Sequence, residues 1–189
     1  MGGSGGIGTF AIQLLKSWGS HVTTTCAADA INFVYENTGA DHCIDYETNE
    51  LLGYLQSFDF ILNATTYSKQ TDKTPEWGVR YLRKWKGAAY VTLSPPLLHN
   101  TDRFGIVLGT GLSALKAIQQ TIRSGTEGQS IRWAFYRPNS SALKEIAKLV
   151  ERNQMKAIIE KRFKFKDLPL AYLNVSKGHS RGKTIIEFT

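Results

Sequence analysis

Three glycines near the start of the chain, Gly3, Gly5 and Gly8, stand in the order Gly-x-Gly-x-x-Gly, with Ser4, Gly6 and Ile7 between them. Residues without a Cβ allow a tight turn and let a bulky anion approach the backbone. A helix that begins there turns unbonded N–H groups and the positive end of its dipole toward that anion. A pyrophosphate joining two nucleosides is the ligand this spacing suits. A flexible glycine linker has the same composition, and the motif ordinarily follows a buried strand, whereas here the glycines open the chain. Asp29, about 21 residues beyond Gly8, has the distance of a carboxylate that bonds the ribose 2′-OH of NAD. Three residues beyond Cys26, however, it better suits the cap of the next helix. The four histidines and the two cysteines, Cys26 and Cys43, fall at no ligand spacing, so no metal site is expected. No Ser-His-Asp or Cys-His set stands out, and no catalytic residue is assigned.

Positioning these groups requires an alternation of helices and strands, and the apolar periodicity supplies one. Thr9 to Trp18 places Phe10, Leu14, Leu15 and Trp18 on one helical stripe, ended by Gly19. His21 to Cys26 reads as a strand, and Asp29 to Gly39 as a helix carrying Ile31, Phe33 and Val34. A short strand at His42 to Ile44 follows, then a helix from Asn49 to Ser57 and an apolar strand from Phe58 to Leu62. Pro75 fits the start of a helix bearing Trp77, Tyr81, Leu82 and Trp85. Gly87 to Leu93 is a strand, Ser94 to Gly105 a loop, Ile106 to Arg123 a helix and Arg132 to Tyr136 a strand. Ser140 or Ser141 caps a helix with Leu143, Ile146, Ala147 and Val150 on one stripe. Beyond it the pattern changes: Ile158 to Phe165 reads as an antiparallel or edge strand, Leu168 to Lys177 as a short helix and Lys183 to Phe188 as a last strand. Strands alternating with helices of this length predict an α/β fold built on a parallel sheet.

Composition bounds the function. The chain has 189 residues, 42% apolar and 21% charged, enough for one soluble domain with a core of its own. No run of residues reaches the length of a membrane span. The net charge is +7, and eight basic residues against three acidic ones lie between Lys156 and Thr189. They are interspersed with apolar residues and form no unbroken run, which reads as a solvated surface and not as a nucleic-acid site.

Several segments together resemble the medium-chain dehydrogenase/reductase superfamily in its zinc-independent quinone-oxidoreductase branch: Gly2 to Gln13, Gly39 to Tyr46, Phe58 to Leu62 and Gly178 to Ile186. Their order and spacing cover nearly the whole chain. The resemblance implies a Rossmann-type, doubly wound parallel sheet preceded, in the whole protein, by a GroES-like catalytic domain to which the end of the chain returns. Residues 1–155 are then the NAD(P)-binding Rossmann domain without its first strand. Residues 156–189 are a tail that would pack on the absent GroES-like domain. A sheet deprived of a central strand is expected to be marginally stable or aggregation-prone.

The resemblance also assigns roles. The backbone of Ser4, Gly5, Gly6, Ile7 and Gly8, with the Ser4 hydroxyl, would contact the pyrophosphate. Ala27 stands where NADPH enzymes often carry a hydroxyl or a base, and Tyr46 matches the tyrosine that reaches the 2′-phosphate; plain core packing is the alternative for Tyr46. His179, Ser180 and Arg181 match a cofactor-contacting turn in which a guanidinium can grip phosphate oxygens bidentately, with a solvated loop as the alternative. Leu93, Ala134 and Tyr136 match positions lining the nicotinamide, or are ordinary strand ends. Asn63-Ala64-Thr65-Thr66 replaces a glycine-rich turn and would narrow the site. The implied cofactor is NADPH and the implied substrate a small quinone or enone. The resemblance further implies a mitochondrial location and a reticulon-type membrane protein as partner. Two rivals are a non-catalytic interaction protein and a nucleoside-cofactor methyltransferase; the Gly39 to Asp41 and Gly178 to Ile186 segments argue against the latter.

Overall fold

The computed structural model describes residues 1–48, 53–65, 78–95 and 97–188. The chain folds as two compact units, Met1–Glu50 with Arg137–Thr189, and Leu51–Tyr136.

In the first unit, helix α1 (Gly8–Ser17) begins on the last glycine of the motif, and Gly19 beyond its end takes a left-handed φ of 75°. Strand β1 (Thr23–Cys26), a short 3-10 turn (Ala28–Ala30) and helix α2 (Ile31–Thr38) follow. Strand β2 (His42–Asp45) then pairs parallel to β1, with Cys26 opposite Asp45. Ile12, Val22, Cys26, Ala30, Val34, Ala40 and Cys43 form the core between them. The buried face of α1 is therefore Thr9, Ile12 and Gln13; of the expected stripe, Leu15 packs partly buried against this core, whereas Trp18 is 63% exposed. That stripe followed the bulkiest side chains, whereas Ile12 is the residue turned toward Val22 and Val34.

Helix α4 (Ser140–Glu151) is capped by Asn139, whose Oδ1 accepts the Ala142 N–H at 3.0 Å, in place of Ser140 or Ser141. Strand β6 (Ile159–Lys164), helix α5 (Leu168–Ser176) and strand β7 (Lys183–Glu187) close the first unit. The strands β6 and β7 run parallel, which corrects the antiparallel alternative. Helix α5 is the crossover that brings the chain back in the same direction.

The second unit holds β3 (Phe60–Asn63), β4 (Ala89–Thr92) and β5 (Ser130–Trp133), all parallel in that order. Tyr81, Leu82, Tyr90, Thr92 and Ser113 are its largest fully buried side chains. Helix α3 (Leu97–Gly125) crosses from β4 to β5 with a break at Gly105, φ 79° and ψ 168°. It begins within the expected Ser94–Gly105 loop, because Pro95 precedes the helix and does not interrupt it. The expected helix through Trp85 is helical at residues 78 and 79 but stops there: residues 80 and 81 are turns and Leu82 bridges Phe58. Backbone there is committed sideways, Ser57 N–H to Tyr81 O at 3.0 Å and Arg83 N–H to Phe58 O at 2.9 Å. The expected starts of two helices, Asn49 to Leu52 and Pro75 to Trp77, lie outside the described residues. No helix among the described residues is long and apolar enough to cross a membrane.

Candidate functional site

The glycine turn is built against β1. The N–H groups of Gly2 and Gly3 both donate to Thr25 O, at 3.1 and 2.9 Å. A Cβ on Gly3 would lie 2.3 Å from Thr24 Oγ1, and one on Gly8 2.0 Å from Gly2 O, so packing alone demands both glycines. Gly5 differs. A Cβ there meets only Gly2 O, at the ordinary contact distance of 3.7 Å. Nothing in the fold requires glycine at this position, and the space it leaves open is a cradle that a methyl group would fill. Beside it, the N–H groups of Gly6, Ile7 and Gly8 find no acceptor among the described residues, as befits the first turn of α1. This arrangement fits a pyrophosphate.

The other side of the cradle comes from the far end of the chain. Gly182 N–H donates to Ser4 O at 3.0 Å and forms a parallel bridge with Gly5, while Lys183 N–H donates to Ile158 O at 2.8 Å. A Cβ on Gly6 would lie 2.7 Å from Lys183 Cδ and 2.9 Å from Gly182 O, so Gly6 lets the tail close in. Of the preceding turn, His179 is exposed with φ 56°, and Ser180 is half-buried. The Arg181 N–H donates to Glu160 Oε1 at 3.1 Å. The Arg181 guanidinium pairs with the Asp29 carboxylate. Asp29 therefore does not cap α2, and no side chain caps the 3-10 turn or the helix. The arginine is the stronger partner for an exposed carboxylate than a backbone N–H.

Ala27, half-buried and extended, leaves β1 at this end. Tyr46 leaves β2 next to it, its N–H donating to Cys26 O at 3.2 Å. Burial, followed by the carboxylates of Glu47, Asp45 and Asp29, raises the Tyr46 phenol above its usual pKa. Burial and its neighbours push the Cys26 thiol up to about 11, so it stays protonated and is no nucleophile.

In the second unit, Leu93 and Ala134 continue from the C-terminal ends of their strands, donating to Asn63 O at 3.1 Å and Thr92 O at 2.9 Å. Tyr136 is 93% exposed. The glycine-poor turn after β3 is pinned: Asn63 Oδ1 accepts from Thr65 N–H at 3.1 Å and Thr65 Oγ1 at 2.6 Å, and Ser94 Oγ donates to Thr65 O at 3.1 Å. Two supporting residues of the first unit had no assigned role in the sequence. Glu160 anchors Arg181, and Gln13 clamps Lys156, donating to its carbonyl at 3.1 Å and accepting its N–H at 2.9 Å. A glutamine on an apolar helix face was the signal for Gln13; Glu160 gave none.

A glycine turn whose last N–H groups lack a protein acceptor among the described residues, opening a helix that leads into a pair of parallel strands, is that of a dinucleotide-binding domain of the Rossmann type. The chain belongs to the medium-chain dehydrogenase/reductase superfamily, for the family model described as "Zinc-binding dehydrogenase" matches residues 38–186. It is 42% identical over 189 residues to the protein "NAD(P)H oxidoreductase RTN4IP1, mitochondrial" of Bos taurus, covering 98% of this chain and 46% of that protein. It is 32% identical over 191 residues to "Reticulon-4-interacting protein 1, mitochondrial" of Caenorhabditis elegans, covering 99% of this chain and 50% of that one. The chain thus spans about half the length of the curated relatives it matches. In fold it is similar to the quinone oxidoreductase from Coxiella burnetii, with TM-score 0.73 and 22% identity over 99% of this chain and 51% of that one. The zinc of the family description finds no cluster of three His, Cys, Asp or Glu side chains among the described residues.

Proposed function

We propose that this chain is the cofactor-holding half of an oxidoreductase that uses NADPH to reduce a quinone or a conjugated carbonyl. The observation that carries this reading is the open position at Gly5 beside the unbonded N–H groups of Gly6, Ile7 and Gly8. Those donors and the Ser4 hydroxyl hold the pyrophosphate. Tyr46, protonated at neutral pH, donates toward the ribose 2′-phosphate, Arg181 supplies positive charge, and Ala27 leaves room. When bound, the nicotinamide supplies a hydride to an electron-poor carbon of the acceptor. The chain's own contribution is to bind and orient, with Leu93, Ala134 and Tyr136 at the positions that the family resemblance assigns to the nicotinamide. The printed names of the Bos taurus and Caenorhabditis elegans relatives support a mitochondrial location and a reticulon-type partner. Within the mitochondrion the acceptor is a ubiquinone-type quinone.

The test is titration of the full chain with NADPH. Wild type binds, and Gly5→Ala binds at least about ten-fold more weakly, the loss of one close backbone contact, with an unchanged thermal melt. Equal affinities refute the reading. The exposed apolar side chains of Ile106, Val107, Leu108 and Leu115 on α3 favour a second reading, a non-catalytic interaction protein, which needs no NADPH and is separated by the same titration.

A further inference from the structure

Asp29 and Arg181 come from opposite ends of the chain and meet as an ion pair just past the end of β1. The Arg181 backbone is fixed there. Its N–H is held by Glu160, and the next residue, Gly182, is bonded to Ser4 of the glycine turn. The guanidinium therefore stays at the edge of the cradle, and competition between anions decides what it grips. In this structure it grips a carboxylate of the protein itself. Arg181 is 40% and Asp29 73% exposed, so the pair is weak enough to exchange for a phosphate that fits the guanidinium fork. The Asp29 charge also reaches Tyr46. One carboxylate thus bears on both side chains that face a ribose 2′-substituent.

We propose that Asp29 sets the choice between the two nicotinamide dinucleotides by occupying Arg181, as a built-in competitor of the 2′-phosphate. The inference rests on the dinucleotide reading above. A 2′-phosphate must displace Asp29 and then sits near the displaced negative charge. Both costs fall on NADPH alone. An unphosphorylated ribose leaves the ion pair intact, so NADH binding does not depend on it. Asp29 is accordingly a specificity-determining residue that lowers NADPH preference without bonding either cofactor.

The experiment is calorimetric titration of the full chain with 2′,5′-ADP and 5′-AMP, which differ in the 2′-phosphate, and with NADPH and NADH. Asp29→Asn is expected to tighten 2′,5′-ADP and NADPH by about two- to five-fold, the range of an exposed ion pair, and to leave 5′-AMP and NADH unchanged. Asp29→Ala should do the same. In an Arg181→Met background, Asp29→Asn should have no effect. Selective weakening of NADH by Asp29→Asn would overturn the inference, because Asp29 would then be a ribose ligand. So would binding of all four probes that ignores Asp29. If wild type binds none of the four, the dinucleotide reading itself fails, and this inference with it.

Discussion

Tyr46 keeps its proton, since burial and three nearby carboxylates disfavour the phenolate. The proposed role of Tyr46, a hydrogen bond to the 2′-phosphate, uses this protonated form. Tyr46→Phe should weaken NADPH by about 1 kcal/mol more than NADH, read by fluorescence titration of each; equal losses would make Tyr46 a packing residue only. The glycines beside it are not equivalent. A larger side chain at Gly6 collides with Lys183 and the Gly182 carbonyl, so Gly6→Val should disturb the tail turn and lower the melting temperature as well as binding. Gly5→Ala should affect binding alone. The glycine spacing was legible in the sequence, but the division of labour was not. Which glycine is demanded by packing and which is left open depends on Thr24, Gly2 and Lys183, and only the folded chain brings these together. The Arg181–Asp29 pair was hidden for the same reason.

At the level of elements, Asp41, just ahead of β2, ties α1 to the start of β1. Lys16 of α1 donates to both of its carboxylate oxygens at 2.8 Å, and the Val22 N–H just ahead of β1 donates to Oδ2 at 2.7 Å. The Lys16 hydrogen bond, then that of Val22, holds the Asp41 pKa below its ordinary 3.8. A depressed carboxylate contributes stability that is present above the ordinary value and lost as pH falls through the lowered one. Melts between about pH 6 and pH 3 should show this acid-side loss in wild type and a reduced one in Asp41→Asn. The Asn139 cap of α4 should be worth about 1 kcal/mol, read as the difference in urea unfolding between wild type and Asn139→Ala. Element type was legible wherever a strand or helix carried its own periodic core, as in β1, β2 and α2. Legibility failed where backbone hydrogen bonding outweighed periodicity, as around Leu82, and where Pro95 suggested a loop at what is the lead-in to α3.

For the molecule as a whole, the first unit carries the glycine turn, Ala27, Tyr46 and the Arg181 turn, though these lie at its two sequence extremes. A ligand that binds only the folded state stabilises it by about 2.7 kcal/mol at a hundred times its dissociation constant. With 2′,5′-ADP at that level, hydrogen exchange should slow most at the amides of Gly6, Ile7 and Gly8, which have no acceptor of their own, and at Gly182. Uniform slowing across Leu51–Tyr136 as well would contradict a site confined to those residues. The fold class was legible at this scale because alternation of strand and helix survives any local error. The organisation into units was not, because the chain leaves the first unit after Glu50 and re-enters it at Arg137 without a change in composition.

The hydrogen bond from Gly182 to Ser4 has a consequence for the order of synthesis. A ribosome releases the glycine turn well before its closing partner, so the growing chain carries an unfinished cradle while the intervening residues are made. Closure over so long a stretch is also a slow contact to form. The cradle is therefore complete only once the Arg181 turn has emerged and docked, and a chain arrested or clipped before it would keep its glycine motif yet lack the wall that closes the cradle.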